Sequence, residues 1–172
     1  EVLRGSNSVV HGSQAIGGVV NIMTGVPAEG FGANASAEYG YSDTFSAKAD
    51  ISGTAGIASG GVGAAYFRTD GISSAANGTE RDGSENIAAN ARLKLAFSDS
   101  LSLDLRGYYI HADLDVDGFP APAYILADTP EVAITDQYVG YAGINLALLD
   151  GKLTNRAAVT WMRNDRDYYS AR

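Results

Sequence analysis

From residue 33 onwards the chain alternates apolar and polar side chains with a period of two, the signature of strands that keep one face dry. In residues 33–41 the odd positions are Ala33, Ala35, Ala37, Tyr39 and Tyr41, and the even ones Asn34, Ser36, Glu38 and Gly40. A brief Ser42-Asp43-Thr44 turn leads to a second run, where Phe45, Ala47, Ala49, Ile51 and Ala55 alternate with Ser46, Lys48, Asp50, Ser52 and Thr54. Next come a turn at 56–60, a less regular third run at 61–69 and a polar loop at 71–85. The fourth run sets Ile87, Ala89, Ala91, Leu93, Leu95 and Phe97 against Asn90, Arg92 and Lys94. After Ser98-Asp99-Ser100, the fifth sets Leu101, Leu103, Leu105 and Tyr109 against Ser102, Asp104, Arg106 and Tyr108. Residues 112–135 read as a long loop, with three of the four prolines and a cluster of acids. In the sixth run Tyr138, Ala142, Ile144, Leu146 and Leu148 oppose Tyr141, Gly143 and Asn145, and Asp150-Gly151 supplies a hairpin turn. The seventh opposes Leu153, Ala157, Val159 and Trp161 to Thr154, Arg156, Thr160 and Asn164.

The connections sort by parity. Those after the second, fourth and sixth runs are short, and those after the third and fifth are predicted to span a dozen residues or more. Tight turns at one rim and long loops at the other are how up-and-down outer-membrane barrels are built. Tyr39, Tyr41, Phe45, Tyr66, Phe67, Tyr108, Tyr109, Tyr138, Tyr141 and Trp161 are all expected towards the long-loop end, as an interfacial girdle would be. Lys48, Asp50, Arg92, Lys94, Asp104, Arg106 and Arg156 fall on the polar face in mid-strand, as a hydrated lumen would have them. A soluble all-β protein with one wet face carries the same alternation, but these runs exceed the usual soluble strand of about 5 or 6 residues.

Composition narrows the choice. No stretch reaches the roughly 18 to 20 consecutive apolar residues of a membrane-spanning helix; the most apolar, 8–26, is interrupted by His11, Ser13, Gln14 and Asn21. A spanning strand needs only about 9 to 11 residues and leaves mean hydropathy near zero, as here. The 172 residues hold no cysteine and 2 histidines, which removes disulfide scaffolds, thiol chemistry and multi-histidine metal sites. A net charge of −8 disfavours a nucleic-acid partner. No Ser-His-Asp set, carboxylate pair or phosphate loop is discernible, so no enzyme is expected. The chain opens at Glu1 within an apparent strand and stops at Arg172 after another, and so reads as an internal segment.

Residues 1–24, EVLRGSNSVVHGSQAIGGVVNIMT, differ in pattern from the rest of the chain. Val2 and Leu3 suggest a short strand, 5–12 a turn and short helix, and 18–23 a second apolar strand, with glycines allowing close packing at the junctions. This segment resembles the end of the plug domain of TonB-dependent outer-membrane receptors, whose pattern is approximately E-V-[IL]-R-G-P-x-S-x-L-Y-G-x-x-A-x-G-G-V-[IV]-N-I-x-T. Arg4, Gly5, Gly12, Gly17, Gly18 and Asn21 are among the residues that fit, while Ser6 and His11 stand where the family commonly has Pro and Tyr. Downstream, Thr69-Asp70-Gly71, Arg81-Asp82-Gly83, the LDLRGYY run at 103–109 and Leu126-Ala127-Asp128-Thr129 are similar to the cobalamin (vitamin B12) branch.

The resemblance implies an all-β chain: a partial transmembrane antiparallel up-and-down β-barrel, about seven of roughly 22 strands, over residues 31–172, preceded at 1–30 by the C-terminal piece of an α/β plug. It implies TonB-dependent uptake of a large scarce nutrient across the bacterial outer membrane, cobalamin first and a ferric siderophore second. TonB with ExbB and ExbD, the nutrient and outer-membrane lipid are the implied partners. A passive porin or a secreted adhesin-like β-protein is the alternative of another class; a porin has no reason to carry the plug segment, and an adhesin no need of a girdle.

Few side chains stand out as sites. On the resemblance, Arg4 is half of an ion pair between plug and barrel wall, with a structural arginine of the plug as the equal alternative. Asp113, Asp115 and Asp117 before Gly118 mimic an EF-hand opening, but the twelfth position is Tyr124 and not a bidentate Glu, which rules the motif out. The resemblance offers Asp82, Asp117 and Asp128 as Ca²⁺ ligands in extracellular loops, against solvated loop acids as the plainer reading. His111, beside Tyr108 and Tyr109, suits an interfacial role better than a metal.

Overall fold

A strand that is apolar on one side and charged on the other can be extended only by another of the same register, because a slip of one residue would exchange its faces. Seven strands obey this here. The computed structural model describes residues 2–4, 18–20, 30–75 and 78–170. β1 (Val2–Arg4) and β2 (Gly18–Val20) form a two-stranded antiparallel sheet in which Arg4 is opposite Gly18. The expected helix and Gly5, Gly12, Gly17 and Asn21 lie outside the described residues.

The second sheet contains β3 (Phe31–Gly40), β4 (Thr44–Ala55), β5 (Ala58–Thr69), β6 (Ser84–Ala96), β7 (Leu101–Gly118), β8 (Ala127–Leu148) and β9 (Leu153–Tyr169). Each strand pairs antiparallel with its neighbours in sequence, in the order β3 to β9. The register keeps the faces apart over the whole width. Ala49, Ala64 and Ala89 face one another across strands, as do Leu93, Leu105, Ala142 and Val159. One residue along, Lys94, Asp104 and Gly143 are aligned on the opposite face.

No second layer covers either face among the described residues. Among the described residues only Ala75 and Val132 are buried apolar ones, at 8% and 5% exposure, while Ile51, Ile144, Val159 and Trp161 are open. A depression of about 680 Å³ between Ala64, Ala89, Gly107 and Gly140 and the rings of Tyr109, Tyr138 and Trp161 is on this apolar face.

The short turns fall at 56–57, 97–100 and 149–152, all at one end of the sheet. At the last of them Leu149, Asp150 and Gly151 all have positive φ, which is costly except at Gly151 and is the geometry a tight hairpin needs. The opposite end carries connections 41–43, 70–83 and 119–126.

Here the sequence expectation needs correction. Residues 112–135 are not a long loop: β7 runs 18 residues to Gly118 and β8 starts at Ala127, leaving 119–126 between them. The D-x-D-x-D run is part of a strand, with Asp113 opposite Ile134 and Asp115 opposite Val132. Pro130 hid this. It is tolerated because the register shifts between Val116 and Gly118, directly across from it, and a bulge is one of the few places where a strand can lose an N–H. The girdle also changes. With β7 and β8 so extended, Tyr109, Tyr138 and Trp161 sit in mid-strand on the apolar face, and Tyr108 and Tyr141 are on the polar one.

Candidate functional site

Two groups of polar side chains stand out, one at each end of the sheet. At the long-loop end, residues 70–83 are tied down by two carboxylates from the neighbouring strands and one of their own. Asp128, in the part of β8 beyond the mid-strand tyrosines, accepts from the Thr79 and Glu80 amides at 2.6 and 3.0 Å and from the Ser73 hydroxyl at 3.0 Å. Asp117 accepts from the Ala75 amide at 2.9 Å, and Asp82 from the Ser74 amide at 2.5 Å. The Glu80 and Thr79 amides hold the Asp128 carboxyl below its ordinary pKa, because those bonds favour the charged form.

The 41–43 turn docks on the same loop. Ser42 donates its hydroxyl to the Gly71 carbonyl at 2.6 Å, and the Asp70 amide donates to the Ser42 carbonyl at 2.9 Å. Ser42 and Asp43 both adopt positive φ, a strained choice without glycine, and the Tyr39 hydroxyl donates to Asp43, which lowers the Asp43 pKa. Arg81 pairs with Asp70 at 3.2 Å.

Asp82, Asp117 and Asp128 are therefore brought to one loop, as acceptors of its backbone and hydroxyl donors. Among the described residues no group of three or more acidic or imidazole side chains gathers closely enough to hold a metal. Arg4 is placed only by its strand pairing with Gly18.

His111 lies opposite Asp136, 3.0 Å away, and Tyr109 donates to the same Asp136 oxygen at 3.0 Å while its ring packs on Tyr138 with centroids 4.9 Å apart. Sequence reading missed Asp136 because it fell between the supposed loop, which ended at 135, and Tyr138, the first apolar position read in the sixth run. Its spacing of two from Tyr138 was the available signal.

At the short-turn end the polar face is built around Asp104. Arg106 donates to it through Nε at 3.1 Å and Nη2 at 2.5 Å, and Arg156 reaches it from β9 at 3.4 Å. Tyr141 packs against both guanidinium groups, whose centres are 5.0 and 5.5 Å from its ring, each a cation–π contact. The ring folds back over Gly143, where a Cβ would meet it at 3.0 Å or less, so the glycine makes this packing possible. No periodicity argument could have found this packing, which depends on where the ring turns.

A single antiparallel sheet with one apolar and one charged face, short turns at one end and a tied-down loop at the other, is the wall of a β-barrel. No family model matches the chain. Over 122 residues, 68% of the chain, it is 31% identical to the vitamin B12 transporter BtuB of Photobacterium profundum, of which those residues are 20%. The siderophore receptor PiuA from Acinetobacter baumannii superposes on 97% of the chain with a TM-score of 0.77 at 17% identity, the match covering 26% of that protein. The chain belongs to the TonB-dependent receptors and forms part of their barrel wall. It spans about a fifth of the length of the curated relative, and the relatives are transporters and receptors, not enzymes.

Proposed function

We propose that this chain serves in TonB-dependent uptake of cobalamin across the bacterial outer membrane. The observation that carries the reading is the 31% identity to a vitamin B12 transporter over 122 residues. The apolar face of β3 to β9 then meets lipid, the charged face lines a hydrated lumen, and the long-loop end points out of the cell, where ligand is captured. Residues 1–30 belong to a plug that closes the lumen at rest. Arg4 forms an ion pair with the wall that loosens when TonB, driven by ExbB and ExbD, pulls on the plug. The shallow depression on the apolar face is filled by acyl chains in this arrangement.

The test is equilibrium binding of cyanocobalamin and of ferric siderophores to the whole receptor in detergent. Saturable cobalamin binding is expected. Saturable binding of a ferric siderophore in its place would assign the receptor to that substrate, and binding of neither would remove the uptake reading.

A further inference from the structure

The charges of the polar face are unevenly spread. Four cations gather towards the short-turn end of β6, β7 and β9. Arg92 is the direct cross-strand partner of Arg106, Lys94 that of Asp104, and Arg156 reaches the same aspartate. Asp104 is engaged by both Arg106 and Arg156. Among the described residues, neither Arg92 nor Lys94 has a carboxylate within ion-pair distance.

Like charges placed directly opposite destabilise a sheet, and in the Arg92 and Arg106 pair Asp104 is within ion-pair distance of Arg106 alone. Beside them is a depression of about 510 Å³ whose lining includes Lys94, Ser102, Asn145, Thr154 and Arg156, with Asp99 contributed by the 97–100 turn. Asn145 donates to the Ser102 hydroxyl at 3.3 Å, which leaves that hydroxyl proton available. The Tyr141 hydroxyl is buried nearby with no hydrogen-bond partner. The Arg106 and Arg156 side chains are 56% and 52% exposed, so Asp104 and Tyr141 hold their guanidinium groups in place without covering them.

We infer that this lane is an oxyanion site, which takes the carboxylate or phosphate oxygens of a ligand on Lys94 and Arg156, with Arg92 and Arg106 supplying further positive potential. Planar guanidinium groups pre-set by Asp104 and Tyr141 suit such oxygens, because little side-chain freedom remains to be lost on binding. The inference rests on the lumen-wall reading above for its setting. The oxyanion has two possible sources, a carried solute or an acidic side chain of the polypeptide that fills the lumen.

The experiment is calorimetric titration of citrate, and separately of inorganic phosphate, at low ionic strength. It uses the whole receptor and the same receptor with its plug deleted, each as wild type, K94Q, R156Q and K48Q. Citrate is expected to bind, about tenfold more weakly in K94Q and in R156Q, as loss of a charged hydrogen bond predicts. K48Q removes a charge from the same face at β4 and is expected to stay within about twofold. Binding to the intact receptor assigns the site to solute, and binding only after plug deletion assigns it at rest to plug carboxylates. No binding to either form, or equal weakening by K48Q, overturns the site. Cobalamin binding measured on the same preparations keeps the two readings apart, since either can fail while the other stands.

Discussion

The two ends of the sheet use aspartate in opposite ways. Near the short turns, Asp104 is set among arginines and fixes where their charge points. Near the long loops, Asp82, Asp117 and Asp128 accept mainly from backbone amides and fix where a loop lies. The environment decides the role: regular strands present side chains alone, because their own amides are already paired, whereas the 70–83 loop has N–H groups to satisfy.

The strongest way to break this comparison is to place one cation at each end of the apolar face. Ile144→Arg is expected to lower barrel stability by about 2–4 kcal/mol, the cost of a lipid-facing charge. Ile134→Arg, flanked across the strands by Asp113 and Asp167, is expected to cost less than about 1 kcal/mol. Urea unfolding in lipid vesicles measures both, and equal costs would show that the apolar band extends to Ile134.

Next in size is Asp128→Ala, which removes the acceptor of three bonds. Trypsin cleavage at Arg81 in the folded protein is expected to accelerate roughly tenfold, as a loop freed to open locally would allow. Asp104→Ala should leave that rate unchanged, and a matching acceleration would end the distinction between the two ends.

Acid sharpens the same point. A carboxyl with a lowered folded-state pKa contributes stability that is fully present above its unfolded pKa, about 3.9, and is lost as pH falls through the lower folded value. The Thr79 and Glu80 amides should therefore keep their protection from hydrogen exchange down to about pH 4 and lose it only below. Loss already near about pH 6 would mean that Asp128 is not their acceptor.

The smallest effect is expected for Gly143→Ala, where the Tyr141 ring can swing away from the added methyl at a cost of less than about 1 kcal/mol. Nitration of the Tyr141 ring by tetranitromethane, ortho to its hydroxyl, should rise, since that hydroxyl is now buried.

How much could be read in advance obeys the same division. Where one face must stay dry, Leu93, Leu105 and Ala142 kept the period of two visible, and the register matches it. Beyond Tyr109 and Tyr138 the apolar stripe gives way: Asp113, Asp115 and Asp136 occupy positions that nearer the short turns hold leucine or isoleucine, and alternation no longer marks a strand. Pro130 strengthened the false reading. The three candidate calcium aspartates converge on one loop, but their use as amide acceptors depends on where Ser74, Ala75, Thr79 and Glu80 lie, which no spacing encodes. The plug-like glycines fall mostly outside the described residues, and their role rests on motif alone.

The order of strands across the sheet is the order of strands along the chain. This has a kinetic consequence. Every pairing joins strands that are neighbours in sequence, and the entropy of each closure grows only slowly with loop length. The sheet can therefore grow hairpin by hairpin, each arriving strand annealing to the one just laid down, and no step waits for a distant partner. The ladder edge of each strand just laid down stays a template until the next strand pairs with it, so the intermediate stages carry a hazard of edge-to-edge association.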